Sequence, residues 1–383
     1  MDYRSDIRAY LEAQLPQMVA LLETMVKIES PSSDVASHEN VLQLLEDEFA
    51  ARGMRTRRVN GQDSIQHLYA RSEQRRRNGK YQLLIGHLDT VWPLGTLDEM
   101  PLVNDGVTLH GPGAYDMKAG VVQMIFALQA IRHFGLEPEV TPVVFINADE
   151  EIGSHDSGRS IHRLARCADR AFVLEPSLGP DGQIKTRRKG VGRYTLHVRG
   201  KAAHAGLDPE KGASAILELS YQIQKLFELN DPDAGISVNV GMIDGGLRPN
   251  VIAPESTAVI DVRVPTHALA QSIHEKIMAR HSHTEGVEVF VEGRIGRPPR
   301  EKNDAALRLW EIARERGREI GLELEQAAAG GGSDGNTTSQ YTPTLDGMGA
   351  VGSGAHAHHE HIELDKMAGR TALLTLLLME APL

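Results

Sequence analysis

Acids and histidines recur in this chain immediately after apolar runs. His87 and Asp89 follow Leu83–Leu84–Ile85, and Asn147, Asp149, Glu150 and Glu151 follow Val143–Ile146. Glu175 follows Ala171–Leu174. Asp116 lies in the glycine-rich stretch GPGAYDMKAG, and His356, His358, His359 and His361 crowd the segment GAHAHHEHI. Imidazole and carboxylate together suit a borderline divalent ion such as zinc, and a chain with one cysteine, Cys167, cannot build a thiolate cage. An acid alone on its loop, as Asp116 is, can offer one oxygen to each of two neighbouring ions. Asp89, two residues from His87, can hold the ring's second nitrogen and fix its tautomer. Adjacent glutamates permit divided labour, one binding an ion and the other taking a proton from activated water. The chemistry so assembled is hydrolysis. Taken singly each feature is commonplace, since paired glutamates usually line a solvated face and histidine-rich runs are often solvated tails. Their agreement is what carries weight.

The elements that must position these groups alternate between strand and helix. The three apolar runs read as buried strands, and in open α/β sheets ligands collect beyond the carboxyl ends of such strands. Val121, Val122, Met124, Ile125 and Leu128 recur at helical spacing after the glycine turn, so Asp116 falls on a loop entering a helix. After Glu175 the pattern changes. Tyr194, Leu196 and Val198 alternate with polar residues as a half-exposed strand does. A helix at 213–229, strands at 236–243 and 256–264, a helix at 267–281 and a strand at 287–291 follow. That order, β-α-β-β-α-β, is the ferredoxin-like arrangement and predicts a domain of its own over 189–302. A helix at 304–321 and the glycine-rich AAAGGGSDGN return the chain to the first domain, expected to span 1–188 and 303–383. No internal repeat is visible.

Length and composition bound the possibilities. At 383 residues the chain suits two domains, and its 41% hydrophobic, 24% charged content is that of a globular protein. A net charge of -11 with 4% aromatic residues argues against nucleic acid as a partner. The run Arg75–Arg76–Arg77 reads as a solvated turn. The N-terminal stretch has charges spread through an amphipathic pattern, unlike a signal peptide, and no segment has the length of apolar residues a membrane helix needs. One cysteine fits a reducing compartment, and the cytoplasm is the expected location.

Taken in order, GHLDTV, GPGAYDMKAG, NADEEIGS, LEPS, KAAHAG, RPNVIAP, DVR, GGGSDGN and GAHAHHEHI resemble the motifs of the M20 family of di-zinc amidohydrolases and carboxypeptidases, most nearly its bacterial glutamate-carboxypeptidase branch. They cover residues 86 to about 363. The resemblance implies a zinc-peptidase-like α/β catalytic domain, a mixed sheet flanked by helices, with an inserted ferredoxin-like lid through which the protein forms a homodimer. It implies two zinc ions, with cobalt or manganese as alternatives. By it, His87, Asp116 and Glu175 hold one ion and Asp116, Glu151 and His356 the other, with Glu150 as general base and Asp89 orienting His87. His356 is chosen among the four histidines because the family's last ligand stands a few residues before a glutamate, here Glu360; His358 and His359 are the alternatives. The sequence departs from relatives that carry a second acid after the bridging aspartate, since Met117 stands there.

The resemblance also matches His204, in KAAHAG, to a histidine that stabilises the oxyanion of the tetrahedral intermediate. Asn250, Arg263 and Arg297 can grip a substrate carboxylate, because guanidinium binds carboxylate bidentately. Arg294 and Arg300 compete with Arg297 for that role. The implied substrate is a small amide with a free carboxylate, an N-acyl amino acid or dipeptide-like molecule. Deacylation of N-acetyl or N-succinyl amino acids is the alternative within the same chemistry. A dinucleotide-binding enzyme is disfavoured because no G-x-G-x-x-G opens a first β-α unit. A metal protein without activity is disfavoured by Glu150 standing where a base belongs.

Overall fold

A computed structural model describes residues 3–73 and 79–383, so the Arg75–Arg77 run lies outside the described residues. The chain forms two compact units, Met1–Thr186 with Lys302–Ala328 and Ser333–Leu383, and Arg187–Glu301 with Ala329–Gly332.

The first unit is organised by strands whose sequence is apolar without interruption. Thr141–Asn147 is buried at every residue and Tyr81–His87 at all but the first, as parallel strands covered on both faces must be. They pair in parallel, with His87 opposite Asn147, and Tyr81–His87 pairs in parallel with Ala168–Val173 on its other side. The sheet order is Met54–Asn60, Gln66–Ser72, Thr141–Asn147, Tyr81–His87, Ala168–Val173, Thr344–Asp346, Ile184–Arg188, Gln326–Ala329, with antiparallel pairs toward the edges. Alternate residues feed two cores. Leu84, Ile146 and Phe172 face a large one that includes Val122, Met124, Ile125, Leu373 and Leu374, while Leu83, Ile85, Phe145 and Val173 face a smaller one closed by Ile161. The helix Ala119–His133 packs against Tyr3–Lys27 and Leu364–Leu378 and is buried almost throughout. At Gly120 it comes so close to the sheet that a Cβ would run into the Leu174 carbonyl. No helix among the described residues is long and apolar enough to cross a membrane.

A small antiparallel sheet then joins two loops that matter for the site. The hairpin Gly352–Ser353 and His361–Glu363 pairs with Thr108–His110, His361 lying opposite His110. The loop bearing His356 is thereby tied to the strand that leads into the Asp116 turn.

The second unit is ferredoxin-like, as its element order predicts. Its antiparallel strands are ordered Ser237–Gly245, Glu255–Val264, Gly190–Arg199, Glu288–Arg297. Tyr194, Leu196, Val198, Ile260 and Val262 point to one face, which Leu219 and Leu226 of Ala215–Phe227 and Ile273 and Ile277 of His267–Met278 cover at helical spacing.

Candidate active site

Because the three central strands of the first unit run parallel and in register, their carboxyl ends deliver side chains to one place. His87 ends its strand, Glu150 and Glu151 lie a few residues past Asn147, and Glu175 is two residues past Val173. Asp116 arrives from the turn Ala114–Lys118, where its backbone is extended (φ -113°, ψ 96°), and the Asp116–Met117 peptide is cis. Met117 is buried and its sulfur accepts the His87 N–H at 3.4 Å. Met117 is thus part of the core.

The two oxygens of Asp116 face different histidines. Oδ1 is 3.3 Å from His87 Nε2 and Oδ2 is 3.6 Å from His356 Nε2. His87 Nε2 is also 3.7 Å from Glu175 Oε1, and His356 Nε2 is 3.1 Å from Glu151 Oε2. Ligand atoms of His87, Glu150 and Glu175 all lie within 4.8 Å of one another, as do those of His87, Asp116 and Glu151. Of the four C-terminal histidines, His356 is the one placed against these acids; its φ of 61° turns the chain back at that point. His358 tilts beside Trp92 and His361 beside His110.

Asp89 does more than its spacing suggested. His87 Nδ1 is 2.9 Å from the Asp89 main-chain carbonyl and 3.5 Å from its carboxylate. The carboxylate accepts the Glu150 N–H and Glu151 N–H, each at 3.2 Å, and the Ser32 hydroxyl at 2.6 Å. It therefore fixes the turn bearing both glutamates as well as standing beside the imidazole. Asp149 completes the turn by accepting the N–H groups of Asp156 and Ser157, which open the next helix.

Electrostatics mark the cluster as a place for cations. Burial opposes charge on His87, yet the hydrogen bonds it donates to Asp116 and Asp89 and the charges of Asp89 and Glu150 outweigh it and raise the imidazole well above its ordinary range. Burial likewise opposes the Asp116 charge, and His87, Lys185 and His356 together hold that carboxyl below the usual range. Burial pushes Glu151 up to about 7, against the pull of the His356 hydrogen bond. The same hydrogen bond raises His356 to about 9. Burial of Glu151 and its contact with His356 together favour a proton on the pair. Among the described residues, Glu151 Oε1 is buried with no hydrogen-bond partner. An orphaned carboxylate oxygen amid nitrogen and oxygen donors fits a divalent metal ion.

The other four expected residues belong to the second unit. His204 forms an isolated bridge with Val251, Ala205 N–H donates to the Asn250 carbonyl, and the His204 Nδ1 accepts from Gly206. Arg263 and Arg297 both lie opposite Val191, one on each side of the central strand, so they share a row on the sheet face away from the helices. Arg263 is held bidentately by Asp261 at 2.7 and 3.0 Å. Arg300 is buried.

Three groups near the cluster escape the sequence reading. Ser32 and Lys185 carry no local signal, and Glu360 entered only as a landmark for His356.

A helix-flanked mixed sheet gathers at its strand ends imidazoles and carboxylates that could hold metal ions, as a metallopeptidase requires. Residues 83–380 match peptidase family M20/M25/M40, and the chain belongs to that family, which is metal-dependent. It is 26% identical over 372 residues to carboxypeptidase G2 of Pseudomonas sp. strain RS-16, covering 95% of this chain and 89% of that one. It is 26% identical to the succinyl-diaminopimelate desuccinylase of Delftia acidovorans, covering 91% and 94%. Its fold matches the Bacillus subtilis YXEP protein, a dinuclear metal-binding peptidase of the same family, with a TM-score of 0.71 at 14% identity over 96% of this chain and 98% of that one.

Proposed function

We propose that this chain hydrolyses the amide bond of a small N-acyl amino acid or dipeptide-like substrate with a free carboxylate, in the manner of a glutamate carboxypeptidase. The observation that carries the reading is the Asp116 carboxylate, which turns one oxygen to His87 and the other to His356. His87, Asp116 and Glu175 would hold one ion and Asp116, Glu151 and His356 a second, zinc being the ion best suited to mixed imidazole and carboxylate donors, with cobalt and manganese as alternatives. Such ions, when bound, acidify a water and polarise a carbonyl. Glu150 then has the work of a proton carrier: it removes the proton from the attacking water and returns it to the departing amide nitrogen. Its backbone N–H is fixed by Asp89, which supports a carboxylate of defined position. His204 would donate to the developing oxyanion, and Asn250, Arg263 and Arg297 would receive the substrate carboxylate. For Arg263 this requires release from, or sharing with, Asp261.

The second unit would serve as a lid and as a dimer contact. Its edge strand Ser237–Gly245 leaves Met242 69% and Ile243 66% exposed, a combination of open ladder and apolar side chains that invites a second copy. Sedimentation of a monomer at micromolar concentration would remove the dimer from the proposal. The single, exposed Cys167 is compatible with the cytoplasm.

The test is a hydrolysis screen of N-acyl amino acids, folate-type acyl-glutamates among them, with wild type and Glu150→Gln. Wild type should cleave at least one class, and the variant should keep its metal while turnover falls by about 10²- to 10⁴-fold. Equal turnover in both would strip Glu150 of its role. The desuccinylase relative favours a second reading, deacylation of N-succinyl or N-acetyl amino acids, and the same panel separates the two by which acyl group leaves fastest.

A further inference from the structure

Glu360 is wholly buried, and four donors converge on its carboxylate. Oε1 accepts the N–H groups of Tyr115 at 2.9 Å and Asp116 at 3.0 Å. Oε2 accepts the N–H of Gly113 at 3.0 Å and the indole N–H of Trp92 at 2.8 Å. Its backbone adds two ties: the Gly111 N–H donates to the Glu360 carbonyl, and the Glu360 N–H donates to Ala357, one residue past His356. One side chain thus joins three stretches far apart in sequence: the loop after His87, the turn that presents Asp116, and the loop that presents His356.

All four partners donate, which favours the anion, although burial and the Asp116 charge raise the carboxyl above its usual range. Three backbone N–H groups from one turn make a concavity of the kind that binds phosphate or carboxylate, and here the protein supplies the anion itself. A carboxylate is acceptor-only on both oxygens and can serve two donors at each; an amide can do so at one end only. Placing another carboxylate beside Asp116, in a region already crowded with acids, is costly, so a structural brace with no bearing on the site would have been built more cheaply from a neutral group.

We propose that Glu360 is a positioning residue of the metal centre: by clamping the Gly113, Tyr115 and Asp116 amides it aims the Asp116 carboxylate between His87 and His356, and through Trp92 and its own loop it keeps those two histidines in register. This rests on the metallohydrolase reading above. Metal ligands depend on such outer partners, whose loss typically weakens affinity or activity by about 10- to 100-fold.

The test compares Glu360→Gln with wild type and with Glu150→Gln, each stripped of metal and titrated calorimetrically with Zn²⁺ alone, then assayed after loading. Glu360→Gln should keep the wild-type far-ultraviolet circular dichroism, bind Zn²⁺ about 10- to 100-fold more weakly, and lose kcat with KM changed less than about threefold. Glu150→Gln should bind Zn²⁺ as wild type does and lose turnover only. Wild-type Zn²⁺ affinity and kcat in Glu360→Gln, beside an inactive Glu150→Gln, would overturn the clamp and leave the hydrolase reading standing. A wild-type protein that binds no Zn²⁺ would overturn both. Should Glu360→Gln not fold, Trp92→Phe removes a single donor and should weaken Zn²⁺ binding severalfold; an unchanged isotherm there would overturn the clamp.

Discussion

Replacing Asp89 by asparagine keeps the shape of the side chain and changes only what it can accept. In the native structure Oδ1 takes the Glu150 N–H, while Oδ2 takes the Glu151 N–H and the Ser32 hydroxyl. An asparagine with its oxygen at the Oδ2 position keeps Ser32 and Glu151 but points an NH₂ at the Glu150 N–H. Flipped, it keeps Glu150 and opposes Glu151, while the Ser32 hydroxyl can rotate to accept. Either way one buried backbone N–H of the glutamate pair loses its acceptor, which costs about 1–3 kcal/mol, and the hydrogen bonds that survive lose their charge assistance. A cost of about 2 kcal/mol is a roughly 30-fold change in an equilibrium constant.

Because the chain has two units, global unfolding is a poor readout, and local opening is the better one. Hydrogen exchange followed by mass spectrometry should show the segment from Asn147 to Ser157 exchanging roughly 30-fold faster in Asp89→Asn, with the strand Ala168–Val173 unaltered. Turnover should fall by about 10- to 100-fold as both glutamates lose their fixed backbone. Burial works against the Asp89 charge, but the His87 ring, the Ser32 hydroxyl and the Glu151 N–H outweigh it and hold the carboxyl below its usual range. A lowered folded pKa contributes stability that is present above the unfolded value of about 3.9 and is lost as pH falls through the folded one. The effect of the substitution on exchange, corrected for intrinsic rates, should therefore be flat from about pH 5 upward. Unchanged exchange at Asn147–Ser157 together with unchanged kcat would refute the assignment of Asp89 as the holder of this turn.

Two further outcomes follow from the same geometry. His356, raised to about 9, carries a proton at pH 7 that a metal must displace, so loading should release protons, and apparent affinity should climb from about pH 6.5 toward 9. Calorimetry in two buffers of different ionisation heat checks this, and identical apparent enthalpies would contradict it. Gly120→Ala drives a methyl into the Leu174 carbonyl and should destabilise the first unit locally by about 1–3 kcal/mol, read as faster hydrogen exchange across Ala119–His133, while lowering kcat, because the strain falls next to Glu175. Unchanged exchange across Ala119–His133, with kcat intact, would show that the helix can retreat freely.

Much of this was visible in the sequence because buried parallel strands leave an unmistakable trace: a continuous apolar run, then the residues that the strand end presents. Tyr81–His87 and Thr141–Asn147 behave in this way, and the alternation in Gly190–Arg199 announced a sheet covered on one face. The choice of His356 among its neighbours had no such trace. It is decided by a hairpin paired to Thr108–His110, some 250 residues earlier in the chain, and periodicity reports nothing over that distance. The work of Asp89 was only half legible for a related reason: its main partners are backbone N–H groups of Glu150 and Glu151, and every residue but proline has one.

The carboxylates of this unit divide according to what occupies their oxygens. Those of Asp89 and Glu360 are filled by N–H and hydroxyl donors, which makes them part of the scaffold although they carry the same charge as their neighbours. Among the described residues Glu151 keeps one buried oxygen without a hydrogen-bond partner, and the oxygens of Asp116 meet imidazole nitrogens at 3.3 and 3.6 Å, longer than good hydrogen bonds. Groups of the second kind are costly to bury, and a cation would satisfy them; groups of the first kind hold the turns that carry them. Sequence motifs record both kinds as conspicuous acids, and the donors around each oxygen are what separate them.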